Sequence, residues 1–92
     1  MEKRFISVES AERLKESGLE FSSDNSQVLR QDALDQLDRA GVHVCVDYHI
    51  SAEKYYVRVC AHAHAHYTVG YFANRDEGEI AAISLIVEKE LV

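Results

Sequence analysis

Two cysteines and five histidines carry the most distinctive chemistry of this chain, and all seven fall between residues 43 and 66. Thiolate and imidazole are the ligands of structural zinc sites, in which two Cys and two His form a closed set. Here the spacing gives H-x-C and C-x-H pairs rather than the gaps of about two to four residues found in zinc fingers. A metal site is therefore the alternative hypothesis rather than the leading one, with two candidate ligand sets: His43, Cys45, Cys60 and His62, or His62, His64 and His66.

The same residues offer thiol chemistry, but the sequence gives little support for an enzyme. Cys60 with His62 resembles a nucleophile and its base, yet such a pair also needs a site that excludes water. The sequence contains no Gly-rich phosphate loop, GxSxG or HExxH motif. We therefore expect no enzymatic activity and no cofactor. A Cys45–Cys60 disulfide is geometrically conceivable, although thiols in the expected reducing compartment stay reduced by default.

Recognition of another protein is the function that these residues indicate better. Tyr and Arg are typical anchors of protein interfaces, and imidazoles form neutral hydrogen bonds or titrate near neutral pH. On this basis the predicted partner-binding residues are Tyr56, Arg58, His62, His64 and His66.

A β-hairpin, pairing residues 42–50 with residues 55–72, is predicted to position these side chains. If residues 51–54 form the loop, Val46 lies opposite Val59 and Cys45 lies opposite Cys60. Apolar side chains then occupy one face, and the His, Cys and Arg side chains the other, because successive residues of a strand alternate. A slip of one residue would expose the whole apolar set, so the faces are well specified.

The second strand of this hairpin is unusually long. Its alternation continues for eighteen residues from Tyr55 to Phe72, whereas strands usually have about three to ten residues. We expect a break in the His/Ala tract or at Gly70, with a third strand over residues 67–72. The alternation places Tyr71 with the apolar set and Phe72 with the polar set.

About three helices are predicted to cover the apolar face, which gives an α+β fold. The first begins at a Ser7 or Ser10 cap and ends before Gly18, with Val8 facing inward. The second follows a cap at Asp24 or Asn25, includes Val28 and ends at Gly41.

The last helix is predicted over residues 77–91, with Asp76 and Glu79 forming a capping box. Its inward stripe is expected to be Ile80, Ile83, Val87 and Leu91. Leu85 and Ile86 point away from that stripe, so this helix is either buried on two sides or forms a homodimer or partner interface.

The length and charge of the chain limit the function classes. Its 92 residues predict a single domain over residues 1–92, and its net charge is −6. A protein that binds duplex nucleic acid directly normally carries a basic stripe, so we do not expect that function. Neither a signal peptide nor a membrane span is expected, which predicts a cytoplasmic protein.

The order of the elements is similar to that of many small phage accessory proteins: an Asp-rich helix ending in Ala40-Gly41-Val42, a hairpin, and a last helix opening at Asp76-Glu77. In size, acidity and lack of motifs the chain resembles the anti-CRISPR inhibitors encoded by phages and prophages. That resemblance implies a protein of the host cell cytoplasm that binds a host CRISPR effector complex and blocks target DNA recognition or cleavage. The acidic helix faces would then imitate nucleic acid, on two sets of residues: Glu9, Glu12, Glu16 and Glu20, and Asp32, Asp35 and Asp38.

Overall fold

A computed structural model describes residues 4–61 and 65–92 of the chain. Within these residues, three α-helices pack on one face of a three-stranded antiparallel sheet, which confirms the α+β fold. In chain order the elements are α1 (Val8–Glu16), α2 (Arg30–Arg39), β1 (Val42–His49), β2 (Lys54–Ala61), β3 (Ala65–Phe72) and α3 (Arg75–Glu88). Strand β2 lies in the centre of the sheet. No helix in the described ranges is long and apolar enough to cross a membrane.

The hydrophobic core lies between the inner face of the sheet and the helices. Val57 and Val59 of β2 are completely buried there, as are Leu14 and Leu37 of the first two helices. Helix α3 contacts all three strands and both other helices. Ile86 is therefore fully buried, although its position in the sequence pointed away from the predicted stripe. The contacts show that this helix is buried on more than one side.

The first helix begins and ends as predicted. The Ser7 side chain accepts a hydrogen bond from the backbone N–H of Ser10 at 3.1 Å. Gly18 follows the helix with a φ of +103°, a left-handed conformation that glycine adopts without strain. Val8, however, is exposed rather than inward-facing.

The predicted start of the second helix is wrong. Asp24 makes no capping hydrogen bond, and residues Asn25–Gln27 form only a short 3₁₀ turn. Val28 and Leu29 remain extended because they pair with the N-terminal segment: the Ile6 N–H donates to the Val28 carbonyl oxygen at 3.0 Å, and Phe5 bridges Leu29. The helix consequently begins at Arg30, and it ends before Gly41 as expected.

The cap of the third helix also differs from the prediction. The side chain of Asn74 accepts a hydrogen bond from the N–H of Glu77 at 2.9 Å, so the helix starts at Arg75. Glu79 does not complete a capping box, because its carboxylate is buried and contacts Arg30 at 2.9 Å.

The hairpin has the predicted faces but a register that differs by two residues. Val46 lies opposite Val57, and Cys45 lies opposite Arg58 rather than Cys60. The turn occupies residues 50–53, where the Glu53 N–H donates to the Ile50 carbonyl oxygen at 3.3 Å and Glu53 has a φ of +52°. Turn geometry fixes hairpin register. A shift of two residues returns every side chain to its original face, so the hydrophobic pattern alone does not distinguish the two registers.

The predicted long strand breaks in the His/Ala tract, as expected: β2 ends at Ala61, and β3 begins at Ala65 rather than at Tyr67. A β-bulge next to Gly70 interrupts the alternation a second time. Val57 pairs with Gly70 and Arg58 pairs with Thr68, which leaves Val69 without a partner. The extra residue reverses the alternation of β3. Phe72 therefore packs against the core and Tyr71 lies on the opposite face, the reverse of the prediction for both residues.

Candidate functional site

The face of the sheet turned away from the helices contains the predicted site. We call it the outer face and define it by ten residues of the three strands: His43, Cys45, Asp47, His49, Tyr56, Arg58, Cys60, His66, Thr68 and Tyr71. Six of the ten are exposed and four are half-buried, so no part of the described chain covers this face.

Aromatic side chains gather at the end of the sheet next to the β1–β2 turn. On the outer face, the rings of Tyr56 and Tyr71 lie 5.1 Å apart between centroids, and His49 lies 5.9 Å from Tyr56 and 5.4 Å from Tyr71. Each ring comes from a different strand, and contacts of this kind are favourable beyond the area that they bury. The Tyr56 hydroxyl is also within 3.2 Å of the Thr68 hydroxyl, which fixes the ring further.

The opposite face of the same end is also aromatic and incompletely covered. Tyr48 and Tyr55 form an edge-to-face pair with centroids 5.1 Å apart. Tyr48 remains 53% exposed, and Ile50 in the turn is 83% exposed. We call this end of the sheet the aromatic end, defined by Tyr48, His49, Ile50, Tyr55, Tyr56 and Tyr71.

The guanidinium of Arg58 lies next to this aromatic cluster. Its Nη2 is 3.4 Å from Oδ2 of Asp47, a diagonal neighbour on β1. An exposed ion pair of this length contributes little to stability. It restrains the Arg58 side chain on the outer face, where the Nε atom is buried and has no hydrogen-bond partner among the described residues.

The two thiols lie together in the middle of the outer face. Their Sγ atoms are 3.8 Å apart, and both cysteines are free. The Sγ of Cys60 is also 3.3 Å from Nδ1 of His66, which lies directly opposite it on β3. Burial raises the pKa of the Cys45 thiol, and the neighbouring Cys60 raises it further.

The candidate metal ligands do not converge in the described part of the chain. Cys45 and Cys60 are adjacent, but Nδ1 of His43 contacts the Asp38 carboxylate at the end of α2 instead of turning toward the thiols. Residues 4–61 and 65–92 contain no group of three or more side chains that could hold a metal ion. His62, which belongs to both predicted ligand sets, and His64, which belongs to the second, lie outside the described residues.

Three of the five predicted partner-binding residues lie on the outer face: Tyr56, Arg58 and His66. The other two, His62 and His64, fall outside the described residues. The prediction missed Tyr71, which the bulge moves to the outer face. The signal available in the sequence was Gly70, because an isolated glycine in a strand often marks a bulge.

The two acidic ladders lie on the helical side of the molecule, away from most of the outer face. All seven carboxylates are exposed: Glu9, Glu12, Glu16, Glu20, Asp32, Asp35 and Asp38. Asp38 alone of these contacts the outer face, through His43.

Comparison with known proteins gives no match: no family model, curated protein sequence or solved structure matches this chain.

Proposed function

We propose that this chain is a non-enzymatic binding protein, an inhibitor or adaptor, which uses the outer face and the aromatic end to recognise a larger protein assembly. The observation that supports this most is the composition of an uncovered sheet face. It presents a cluster of tyrosine and histidine rings beside an arginine, and Tyr and Arg are the residues enriched at the energetic centres of protein interfaces.

The outer face alone is smaller than a stable protein interface, so the proposed contact includes the aromatic end as well. Strands of eight residues extend about 26 Å, and three strands with their spacings cover roughly 10–15 Å, so the outer face projects about 260–390 Å². A stable interface buries about 800 Å² on each partner. Tyr48 and Ile50 extend the surface around the end of the sheet, toward the area that a specific complex requires.

The charge of the chain indicates the class of partner. A net charge of −6 disfavours contact with a bare phosphate backbone and favours a protein surface, or the protein part of a nucleoprotein complex. The narrower form of the proposal is a phage-encoded anti-CRISPR in the host cytoplasm, which blocks DNA binding or cleavage by an effector complex. The exposed acidic ladders on the helical side are the alternative contact surface for this form, and the control variant below tests them.

Titration of purified CRISPR effector complexes with the chain, monitored by calorimetry and by target DNA cleavage, tests the narrower form. We expect binding that inhibits cleavage, and a loss of roughly 30-fold or more in affinity for the Tyr56→Ala/Tyr71→Ala variant, since truncated interface anchors cost about 2 kcal/mol or more.

The matched control is Glu12→Gln/Glu16→Gln, which changes two exposed residues of α1. Retained binding by the tyrosine variant together with lost binding by this control would place the site on the acidic helix instead. Absence of binding to every effector class would refute the anti-CRISPR form of the proposal.

A further inference from the structure

We propose that Cys45 and Cys60 form a dithiol site that exchanges reversibly with small-molecule disulfides such as oxidised glutathione, with His66 handling the proton of Cys60. This site is distinct from the recognition function proposed above and does not depend on it. It rests on three side chains from three neighbouring strands, in which Cys60 Sγ lies 3.8 Å from Cys45 Sγ and 3.3 Å from His66 Nδ1.

The sulfur atoms are within reach of each other. A disulfide requires them to approach from 3.8 Å to about 2.0 Å, which takes a rotation of both side chains and a small shift of the two neighbouring strands. Both cysteines are half-buried on a face that no described element covers, so a small disulfide has access to them.

Cys60 is the attacking thiol. Its sulfur has a neighbour on each side that donates a hydrogen bond once Cys60 is ionised: the imidazolium N–H of His66 and the S–H of Cys45. Among the described residues no imidazole contacts Cys45, and burial together with Cys60 raises the pKa of its thiol. Cys60, which has the imidazole contact, is therefore assigned as the attacking thiol, and Cys45 resolves the intermediate.

The exchange proceeds in two balanced steps. The Cys60 thiolate attacks one sulfur of the small disulfide, whose S–S bond breaks, and the departing thiolate takes the proton that His66 removed from Cys60. Cys45 then loses its proton and attacks the Cys60 sulfur of the mixed disulfide, which releases the second thiolate to be protonated in turn. Two protein thiols are oxidised to one disulfide, and one small disulfide is reduced to two thiols.

The positions of Cys45 and Cys60 in the sheet make a disulfide between them easy to reduce. Cys45 lies opposite Arg58, and Cys60 lies opposite His43, so the two cysteines are diagonal neighbours. Diagonal positions are about 7–8 Å apart between Cα atoms, whereas bridged cysteines are usually about 4.4–6.8 Å apart. A bridge that shifts the strands is strained, and strained, accessible disulfides are the labile ones.

The experiment follows the reduced wild-type protein after addition of excess oxidised glutathione, with acid quenching, alkylation of free thiols and intact mass measurement. We expect a transient glutathione adduct on Cys60, then a product that lacks two hydrogen atoms and takes up no alkylating agent. Excess reduced glutathione should restore both thiols. The proposal would be overturned if the wild-type protein stayed reduced or if its reaction stopped at the glutathione adduct. This result needs no variant.

Two cysteine variants identify the attacking thiol. Cys45→Ser should accumulate a stable adduct on Cys60, whereas Cys60→Ser should react roughly tenfold more slowly at Cys45. Equal rates for the two variants would contradict the assignment of Cys60, and a melting curve for each variant establishes that it is folded.

His66→Gln tests the role of the imidazole, with His43→Gln as the matched control because His43 contacts Asp38 instead of the thiols. In the Cys45→Ser background, we expect His66→Gln to slow adduct formation roughly tenfold or more and to change its pH dependence, and His43→Gln to do neither. Within residues 4–61 and 65–92, the titratable and charged groups that face Cys60 are His43 and Cys45 on β1, Arg58 with its partner Asp47, and His66 on β3. An unchanged pH profile in the His66 variant would remove His66 from the site.

Discussion

The Cys45 thiol makes the stability of the folded chain sensitive to alkaline pH. Burial raises its pKa, with a further contribution from Cys60, so the folded state keeps a proton that the unfolded chain releases as the pH rises above 9.0. Between the two pKa values the folded state binds more protons than the unfolded state, and stability consequently falls as pH increases.

This leads to a prediction for the Cys45→Ser variant. Urea unfolding under reductant should show the free energy of unfolding of the wild type declining above pH 9.0 more steeply than that of the variant. The same slope for both proteins would show that the Cys45 thiol is not responsible.

Gly78 determines how closely α3 approaches the sheet. A Cβ atom at this position would lie 2.5 Å from Cγ2 of Val57, a completely buried and stiff side chain. The helix and strand would have to separate, and overpacking of this kind costs about 1–3 kcal/mol.

We therefore predict that Gly78→Ala lowers the free energy of unfolding by about 1–2 kcal/mol, even though alanine favours helix by about 1 kcal/mol. Chemical denaturation measures this change. The control is Ser84→Ala on the exposed side of the same helix, which should be neutral or slightly stabilising. Stabilisation by Gly78→Ala would mean that the sheet and helix are not in close contact there.

At the scale of secondary-structure elements, a buried carboxylate joins α2 to α3. Glu79 is 8% exposed, and its two oxygens contact Arg30 of α2 at 2.9 Å and Arg75 of its own helix at 3.2 Å. Arg30 also reaches Asp76 at 3.1 Å. Removing one partner of a buried pair leaves an uncompensated charge, which costs far more than losing an exposed pair.

The buried Glu79 and the exposed Arg75 of this contact provide a matched comparison. Glu79→Gln should cost about 3 kcal/mol of stability, whereas Arg75→Ala, whose side chain is 60% exposed, should cost less than about 1 kcal/mol. Thermal or urea unfolding of the two variants tests this. Equal costs would indicate that the pair with Arg30 is effectively solvated.

The ends of the helices show which features could be predicted from the sequence and which could not. The caps and stops that depend on one residue type, such as Ser7 and Gly18, were correct because their chemistry is local. The start of α2 was wrong because Val28 and Leu29 are held extended by pairing with a segment more than twenty residues earlier. The capping role assigned to Glu79 was wrong for a similar reason, since a tertiary contact takes the side chain away from the helix end.

In the β1–β2 hairpin, the sequence predicts the faces of the strands but not their register. Alternation correctly assigned the side chains of β1 and β2 to the two faces, but a register shifted by two residues satisfies the same alternation. The β1–β2 turn fixes which of the two registers forms. In this turn Glu53 adopts a positive φ, a conformation that its residue type does not predict. The bulge at Val69 was signalled only by Gly70, and its effect on Tyr71 and Phe72 required the structure.

At the scale of the whole molecule, the two-layer arrangement determines where a partner can bind. The helices cover the inner face of the sheet, and α3 is buried against all three strands. The outer face and the aromatic end remain available, and they bring Tyr56, Tyr71 and Arg58 together from different strands. The central claim is that this combined surface, rather than the acidic helical side, contacts the partner.

The most direct test is site-specific photo-cross-linking in the cells in which the protein acts. A benzophenone amino acid would replace Tyr71 in one variant and, as the control, Glu12 on the exposed side of α1 in another. We predict a discrete cross-linked species from the Tyr71 position that Tyr56→Ala diminishes, and none from the Glu12 position. A discrete species from the Glu12 position alone would contradict the claim and assign recognition to the acidic helices.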